Sequence, residues 1–292
     1  MASSFLKNLS SEGLLILAFA IKKNQAYLLA HPELKVSLWQ KIKFFRLYKK
    51  FQIGTPLAYI TGHKEFFNLD FLVTKHTLIP RPDTECLVDE AFRHITNSIS
   101  HIENENDKIL LIDVGTGTGC IPITILHKLQ KLQDYKITAI ATDISKQALR
   151  VAKKNAKKHN VDIGFFSGNL LSPILQSCNL AIFKSIVVTA NLPYLKEDWW
   201  KNEPSIQQEP KSALVSDGET GLYLYEKLLQ QISGMKKILD IEYWIFLEID
   251  PRQSSEIFRL VQKYLPMADV EIIKDLSGFD RVVKIELRGS IT

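Results

Sequence analysis

Four consecutive residues, Asn191-Leu192-Pro193-Tyr194, follow an apolar stretch that runs from 185 to 190. The side-chain oxygen of Asn191 and the backbone carbonyl of Leu192 are two acceptors that can take both hydrogens of a planar NH2 group. The lone pair of such a nitrogen is delocalised, so reaction at it depends on positioning more than on a strong base. Pro193 fixes the local backbone, and the ring of Tyr194 offers a face on which a flat amide or base can stack. In isolation an Asn-x-Pro turn is a common surface object. At the end of a buried strand it becomes a candidate catalytic and substrate-binding site made of Asn191, Leu192, Pro193 and Tyr194.

A second segment raises the same possibility. The apolar run Ile109 to Val114 leads into Gly115-Thr116-Gly117-Thr118-Gly119, after which an apolar helix is expected from Ile121. Glycine at alternate positions lets backbone amides approach a ligand, and open parallel sheets bind ligands at the carboxyl ends of their strands. A dinucleotide fingerprint would place its last glycine at position 120, which is Cys120, so the spacing favours a methyltransferase loop. Asp143 closes the next expected strand, where a carboxylate can accept hydrogen bonds from both hydroxyls of a ribose or cap the helix that follows. Asn169 stands at the end of a third strand, as an acceptor for an adenine amine or as a turn residue.

These segments need a sheet to align them. Strands are expected at Ile109 to Val114, Ile137 to Thr142, Ile163 to Phe166, Ile186 to Ala190 and Tyr243 to Ile249. Helices from Ile121, Ser145, Gly221 and Gln253 alternate with them in the manner of crossovers. Val270 to Lys274 and Arg281 to Leu287, joined through Gly278, read as a closing antiparallel hairpin. The expected fold is therefore α/β, a seven-stranded Rossmann-like class I methyltransferase domain over 81–292.

Before it, residues 1–62 read as a small helical domain. One helix is capped by Ser10 or Ser11, a second starts at Asn24 and is ended by His31-Pro32, and a third runs from Val36 to Ile53. That third helix is expected to carry Trp39, Ile42, Leu47 and Phe51 on one apolar stripe. Residues 63–80 are expected to form a hairpin linker with its turn at Asn68 to Asp70. Pro80-Arg81-Pro82 forces extended backbone before a helix that Asp83 or Thr84 caps and that ends near Ile95, with a polar connection over 97–107.

The chain has 292 residues, 46% hydrophobic, 24% charged, and a formal net charge of +5, too small to identify a partner. Cys86, Cys120 and Cys178 are odd in number and widely spaced, so neither a disulfide framework nor a zinc site is expected, and all three read as reduced and mostly buried. The longest early apolar run, Leu14 to Ile21, is far short of a membrane span, and no secretory signal is read, so the expected location is the cytoplasm.

With these residues in view the chain resembles the HemK/PrmC family of release-factor glutamine methyltransferases over nearly its whole length. The resemblance is carried by Pro56 to Gly62, by Glu65-Phe66-Phe67, and most specifically by Ile79-Pro80-Arg81-Pro82-Asp83-Thr84-Glu85. It extends to Glu209-Pro210 with Ala213-Leu214, Asp217-Gly218 with Gly221-Leu222, Leu247-Glu248-Ile249, and Asp275 through Asp280-Arg281. It implies S-adenosylmethionine as cofactor, contacted by Gly115, Thr116, Gly117, Thr118, Gly119, Asp143, Asn169, Leu170 and Asn191. It also implies class I peptide chain release factors as protein substrate, their Gly-Gly-Gln glutamine being held by Asn191 to Tyr194. A monomer is expected, with no metal, no membrane and no direct need for nucleic acid.

Three segments depart from the family's pattern. Leu192 stands where a proline is usual and should loosen the turn. Asn169 and Leu170 replace a common Asp and Trp, and Asp250-Pro251 follows Glu248 without the usual glycine. Asn-Leu-Pro-Tyr is also the form found in ribosomal RNA adenine dimethyltransferases, so an adenine amino-methyltransferase on ribosomal RNA or DNA is the alternative. A binding module without catalysis is the remaining reading, opposed by intact Gly115, Gly117, Gly119, Asp143 and Asn191. The basic residues from Lys41 to Lys50 read first as a solvated helix face.

Overall fold

The structure, a computed structural model, describes residues 9–100, 107–130 and 137–289. It separates into two compact units, one of residues 1–63 with 73–75, the other of 64–72 with 76–292.

The first unit is helical: α1 (Ser11–Ile21), α2 (Gln25–Ala30), α3 (Leu38–Gln52) and α4 (Leu57–Thr61). Ser10, Asn24 and Ser37 cap the first three by accepting from Gly13, Tyr27 and Gln40 N–H groups that the helices cannot satisfy themselves. Ile16, Leu17, Leu28, Phe44, Leu47 and Ile60 form its core. The expected stripe on α3 is corrected here. Phe44 and Leu47 are buried, while Trp39 is 80% exposed and Ile42 is 49% exposed, because the core row runs through Phe44, Leu47, Tyr48 and Phe51. Helix α4 was not foreseen, since five residues are too few to show a period.

The hairpin β1 (His63–Phe66) and β2 (Leu69–Leu72) turns at Phe67 and Asn68, not at 68–70. Both turn residues are left-handed, at φ 50° and 57°, the geometry of a two-residue turn that matches the twist of its strands. The buried aromatic rings are therefore Phe66 and Phe71, which pack into the core of the second unit.

The remaining elements are α5 (Thr84–Ser100), β3 (Ile109–Val114), α6 (Cys120–Gln130), β4 (Ile137–Asp143), α7 (Lys146–Lys158), β5 (Gly164–Ser167), α8 (Ser172–Ser177), β6 (Ser185–Ala190), α9 (Glu197–Lys201), α10 (Tyr223–Ile238), β7 (Glu242–Glu248), α11 (Ser254–Tyr264), β8 (Asp269–Lys274) and β9 (Asp280–Leu287). Every expected strand of the sheet is present. Helix α5 extends beyond Ile95, and of the polar connection expected after it, 101–106 lie outside the described residues. The short α8 and α9 were missed. The seven strands lie in the order β5-β4-β3-β6-β7-β9-β8, parallel except for β9, which runs antiparallel to β7 and to β8.

Both faces of the sheet are covered, which is why its central strands are apolar throughout. Ile109 and Leu111 of β3 face a layer with Leu87, Ile95, Ile123 and Leu126 from α5 and α6. Leu110, Ile112 and Val114 face the other layer, with Tyr225, Leu228 and Ile257 from α10 and α11. All three cysteines are free, but only Cys120 is buried; Cys86 and Cys178 are partly exposed, which corrects the expectation of general burial.

Candidate functional site

Strand register brings the sequence-separated segments to one edge. Val114 pairs with Thr142 of β4 and Ala190 of β6, Asp143 pairs with Ser167 of β5, and Ala190 pairs with Leu247 of β7. The residues next in line are Gly115, Asp143, Gly168, Asn191 and Glu248. The carboxyl ends of five parallel strands thus present their chemistry together, where open α/β sheets bind ligands.

The glycine loop is shaped by its own backbone. Gly115, Gly117 and Gly119 all take positive φ, and a Cβ at Gly115 would lie 2.8 Å from Cδ2 of Leu192 and 3.9 Å from the Asn191 carbonyl oxygen. The loop and the Asn191 turn are therefore in contact. Asp143 accepts from Gly117 N–H at 2.8 Å and from Ser145 N–H at 2.8 Å, one on each oxygen. A carboxylate has about four acceptor positions, so both oxygens keep capacity for a ligand. Burial raises its pKa from the ordinary carboxylate value, partly offset by those two backbone hydrogen bonds. Buried Asn155 braces the loop from beneath, donating to the Thr118 carbonyl at 2.9 Å and bonding Leu72 of the hairpin in both directions.

Below the loop Asp113 is fully buried and accepts from the Thr189 hydroxyl at 2.7 Å. Burial pushes its pKa up to about 6. Its other oxygen, and the hydroxyls of Thr116 and Thr142, are buried without hydrogen-bond partners. Native interiors leave few such groups unpaired, and a cluster of them beside a glycine loop marks a place for polar ligand atoms.

Residues distant in the chain hold the Asn191 turn. Asn191 Nδ2 donates to the Thr84 hydroxyl at 3.1 Å. Its Oδ1 and the Leu192 carbonyl accept no hydrogen bond among the described residues, so both acceptors named from the sequence are available. Leu192 N–H donates to the Tyr225 hydroxyl at 3.2 Å, and that hydroxyl donates to the Glu248 carbonyl. A proline there would have no N–H to give, and the leucine side chain is itself 4% exposed, so Leu192 anchors the turn by contacts a proline could not make. Gln253 donates to the Tyr194 carbonyl at 2.7 Å, and Gly221 approaches the same carbonyl so closely that a Cβ would collide with it.

Tyr194 donates from its hydroxyl to Glu248 Oε1 at 3.2 Å. Glu248 is 1% exposed, its Oε2 is unpaired, and burial raises its pKa to about 7, opposed by Thr84, Arg281 and Tyr194. The same burial and the nearby Glu248 charge hold the Tyr194 phenol well above its ordinary pKa, so it stays neutral. Arg281 bridges Asp275 at 3.1 Å and Asp83 at 3.3 Å. Arg81 pairs with buried Glu209, whose other oxygen accepts from Ile79 N–H at 3.0 Å. The Ile79 to Glu85 segment is thus tied both to the turn and to the chain that follows it.

Asn169 and Leu170 are less closely joined to this centre. Asn169 is exposed and lines a cavity of about 300 Å³ with Tyr223, Lys227 and Gln231. Leu170 has positive φ, and its side chain is buried in the core. Reading the sequence for a site passed over Thr84, Tyr225 and Gln253 as well as Glu248, although a carboxylate at the end of an apolar strand was a usable signal.

Comparison with known proteins bears on the family and the fold. Residues 2–62 match the PrmC N-terminal domain and residues 89–188 the Methyltransferase small domain. The release factor glutamine methyltransferase of Bacillus anthracis is 32% identical over 98% of this chain and 96% of its own length. That of Enterococcus faecalis is 34% identical over 79% of this chain and 76% of its own. Among solved structures, the human methyltransferase 10 domain containing protein shares the fold with a TM-score of 0.50, 16% identity, and coverage of 87% of this chain and 99% of that one. On the strength of these matches, one of them near full-length, this chain belongs to the release factor glutamine methyltransferase family.

Proposed function

We propose that this protein transfers a methyl group from S-adenosylmethionine to the side-chain amide nitrogen of the glutamine in the Gly-Gly-Gln loop of class I peptide chain release factors. The observation that carries the proposal is the contact between the Asn191 to Tyr194 turn and the Gly115 to Gly119 loop, with two free acceptors on the turn.

The residues present fit the cofactor. Three buried polar atoms without partners lie around the loop, and the acidic Asp113 and Asp143 suit a ligand that carries positive charge. Gly115 to Gly119 and Asp143 would hold it, with Asn191 beside it and Asn169 and Leu170 at the next strand end. When bound, S-adenosylmethionine supplies a methyl group already activated on a sulfonium.

The chain's own work is then orientation. Asn191 Oδ1 and the Leu192 carbonyl accept the two hydrogens of the substrate amide, which orients its nitrogen toward the donor and concentrates electron density on it. Pro193 keeps the turn in one shape, and the neutral Tyr194 ring gives the flat amide a face to rest on. The amide proton leaves to water after transfer, so no strong base is required.

In this reading residues 1–62 bind substrate, 63–80 link, and 81–292 form the methyltransferase domain of a cytoplasmic monomer that needs no nucleic acid. Among the described residues no helix is long and apolar enough to cross a membrane. The test is competition between purified release factor and ribosomal RNA for a radiolabelled methyl group. Label on the release factor supports the proposal, and label on RNA alone rejects it.

A further inference from the structure

We infer that Tyr225 is a positioning residue for methyl transfer: its hydroxyl fixes the Leu192 peptide, and through it the direction of the Leu192 carbonyl that accepts from the substrate amide. The inference rests on the methyltransferase reading above and adds a residue to it.

The direction of a backbone carbonyl is set by the dihedral angles of its own residue. At Leu192 the following Pro193 restricts ψ, because a residue before proline is held in extended geometry. Its φ has no such covalent restraint, since leucine lacks the ring that would lock it. Two contacts take up that freedom. The side chain is buried, with Cδ2 only 2.8 Å from where a Cβ on Gly115 would stand, and the N–H donates to the Tyr225 hydroxyl at 3.2 Å. One contact seats the residue against the glycine loop, and the other fixes the peptide that enters it.

A hydroxyl can accept as well as donate, so its neighbours decide how it is used. Here both neighbours are backbone groups with one role each. Leu192 N–H can only donate, and the Glu248 carbonyl, to which Tyr225 donates, can only accept. Tyr225 is 0% exposed, and burial with the nearby Glu248 charge holds its phenol well above the ordinary pKa, so the proton stays in place. The sheet explains why a side chain is needed at this point. Strands β6 and β7 are paired up to Ala190 and Leu247, and Leu192 and Glu248 lie just beyond that last pair. The Tyr225 hydroxyl joins the two chains where their ladder stops, so the turn can leave the sheet to meet a substrate and still be tied to it. Helix α10 delivers the ring, with Leu228, Leu229 and Ile232 of the same helix anchored in the core. Packing alone would be served by phenylalanine; the hydroxyl, bonded on both sides, is what sets the turn.

The test is a double-mutant cycle of Tyr225→Phe and Leu192→Pro, singly and together, assayed with release factor protein and S-adenosylmethionine. Tyr225→Phe keeps the ring and removes the relay. Leu192→Pro takes away the N–H and locks φ in its own ring, so nothing is left for Tyr225 to position. Tyr225→Phe should lower kcat about 10- to 30-fold in the otherwise wild-type protein, and less than about threefold when added to Leu192→Pro. Cofactor Kd of Tyr225→Phe, measured by calorimetry, should stay within about threefold of wild type, because the glycine loop keeps its own supports. A residue that serves packing alone would cost the same in both backgrounds. Equal losses in the two, or wild-type kcat in Tyr225→Phe, overturns the inference. A second readout needs no variant: in the wild-type protein the Leu192 N–H should be protected from hydrogen exchange, and exchange at the rate of an open amide overturns the inference as well. A wild-type enzyme that methylates no release factor overturns the functional reading, while the exchange result still decides whether the relay is formed.

Discussion

The two halves of the candidate site are built in opposite ways. Residues 115 to 119 form a cradle whose shape comes from glycines in the loop itself and from Asp143 and Asn155 behind it. Residues 191 to 194 form a turn that depends on partners from four other parts of the chain: Thr84, Tyr225, Glu248 and Gln253. A ligand cradle of backbone amides can be encoded in one short motif. A hydrogen-bonding clamp for a weak nucleophile needs acceptors held to within fractions of an ångström, and rigid neighbours provide that.

Separating the two halves by mutation gives the sharpest test of this difference. Asn191→Ala should lower kcat on the order of 10³-fold, the scale for losing one oriented polar contact to a reacting group, while cofactor affinity changes by less than about threefold. Single-turnover methylation and calorimetry would measure the pair, and equal losses in both would show one indivisible site. Arg81→Met should act on stability. It leaves Glu209 buried without its cation, at a cost of about 3 kcal/mol in urea unfolding, and Arg81→Met with Glu209→Gln should recover much of it.

On the cradle side, Asp143→Ala removes the acceptor for Gly117 and Ser145 N–H together with the candidate ribose contact. Cofactor Kd should rise about 10- to 100-fold, with kcat restored at saturating cofactor. If kcat stays low at saturation, cradle and turn are coupled. The smallest effect belongs to Leu192→Pro, which restores the residue usual in the family but takes the N–H away from Tyr225. A loss of about 1 kcal/mol is expected, and a gain would mean that backbone stiffness outweighs the hydrogen bond.

The same contrast explains what could be read from the sequence. The placement of Gly115 to Gly119 and Asp143 at neighbouring strand ends was legible because it follows from local spacing after an apolar strand. The sheet was legible because both faces are buried, which makes each strand a continuous apolar run bounded by turns. Asn191 to Tyr194 could be read as chemistry, but its supports could not. Thr84 comes within reach of Asn191 only through the fold, and Tyr225 looks like any core aromatic until its hydroxyl meets Leu192 N–H and the Glu248 carbonyl.

The errors were also local in kind. The hairpin was placed out of register because Phe67, an aromatic with strand preference, occupies a left-handed turn position. The α3 stripe was misread because apolar residues lie on both sides of that helix, and only Phe44, Leu47 and their neighbours are taken into the core.

The most direct measurement is tandem mass spectrometry of a class I release factor after incubation with the wild-type protein and S-adenosylmethionine. A single methyl group on the side-chain amide of the Gly-Gly-Gln glutamine is the predicted result. A release factor recovered unmodified, or methylated on a backbone nitrogen or another side chain, would contradict the account of a turn that orients a glutamine amide toward the donor.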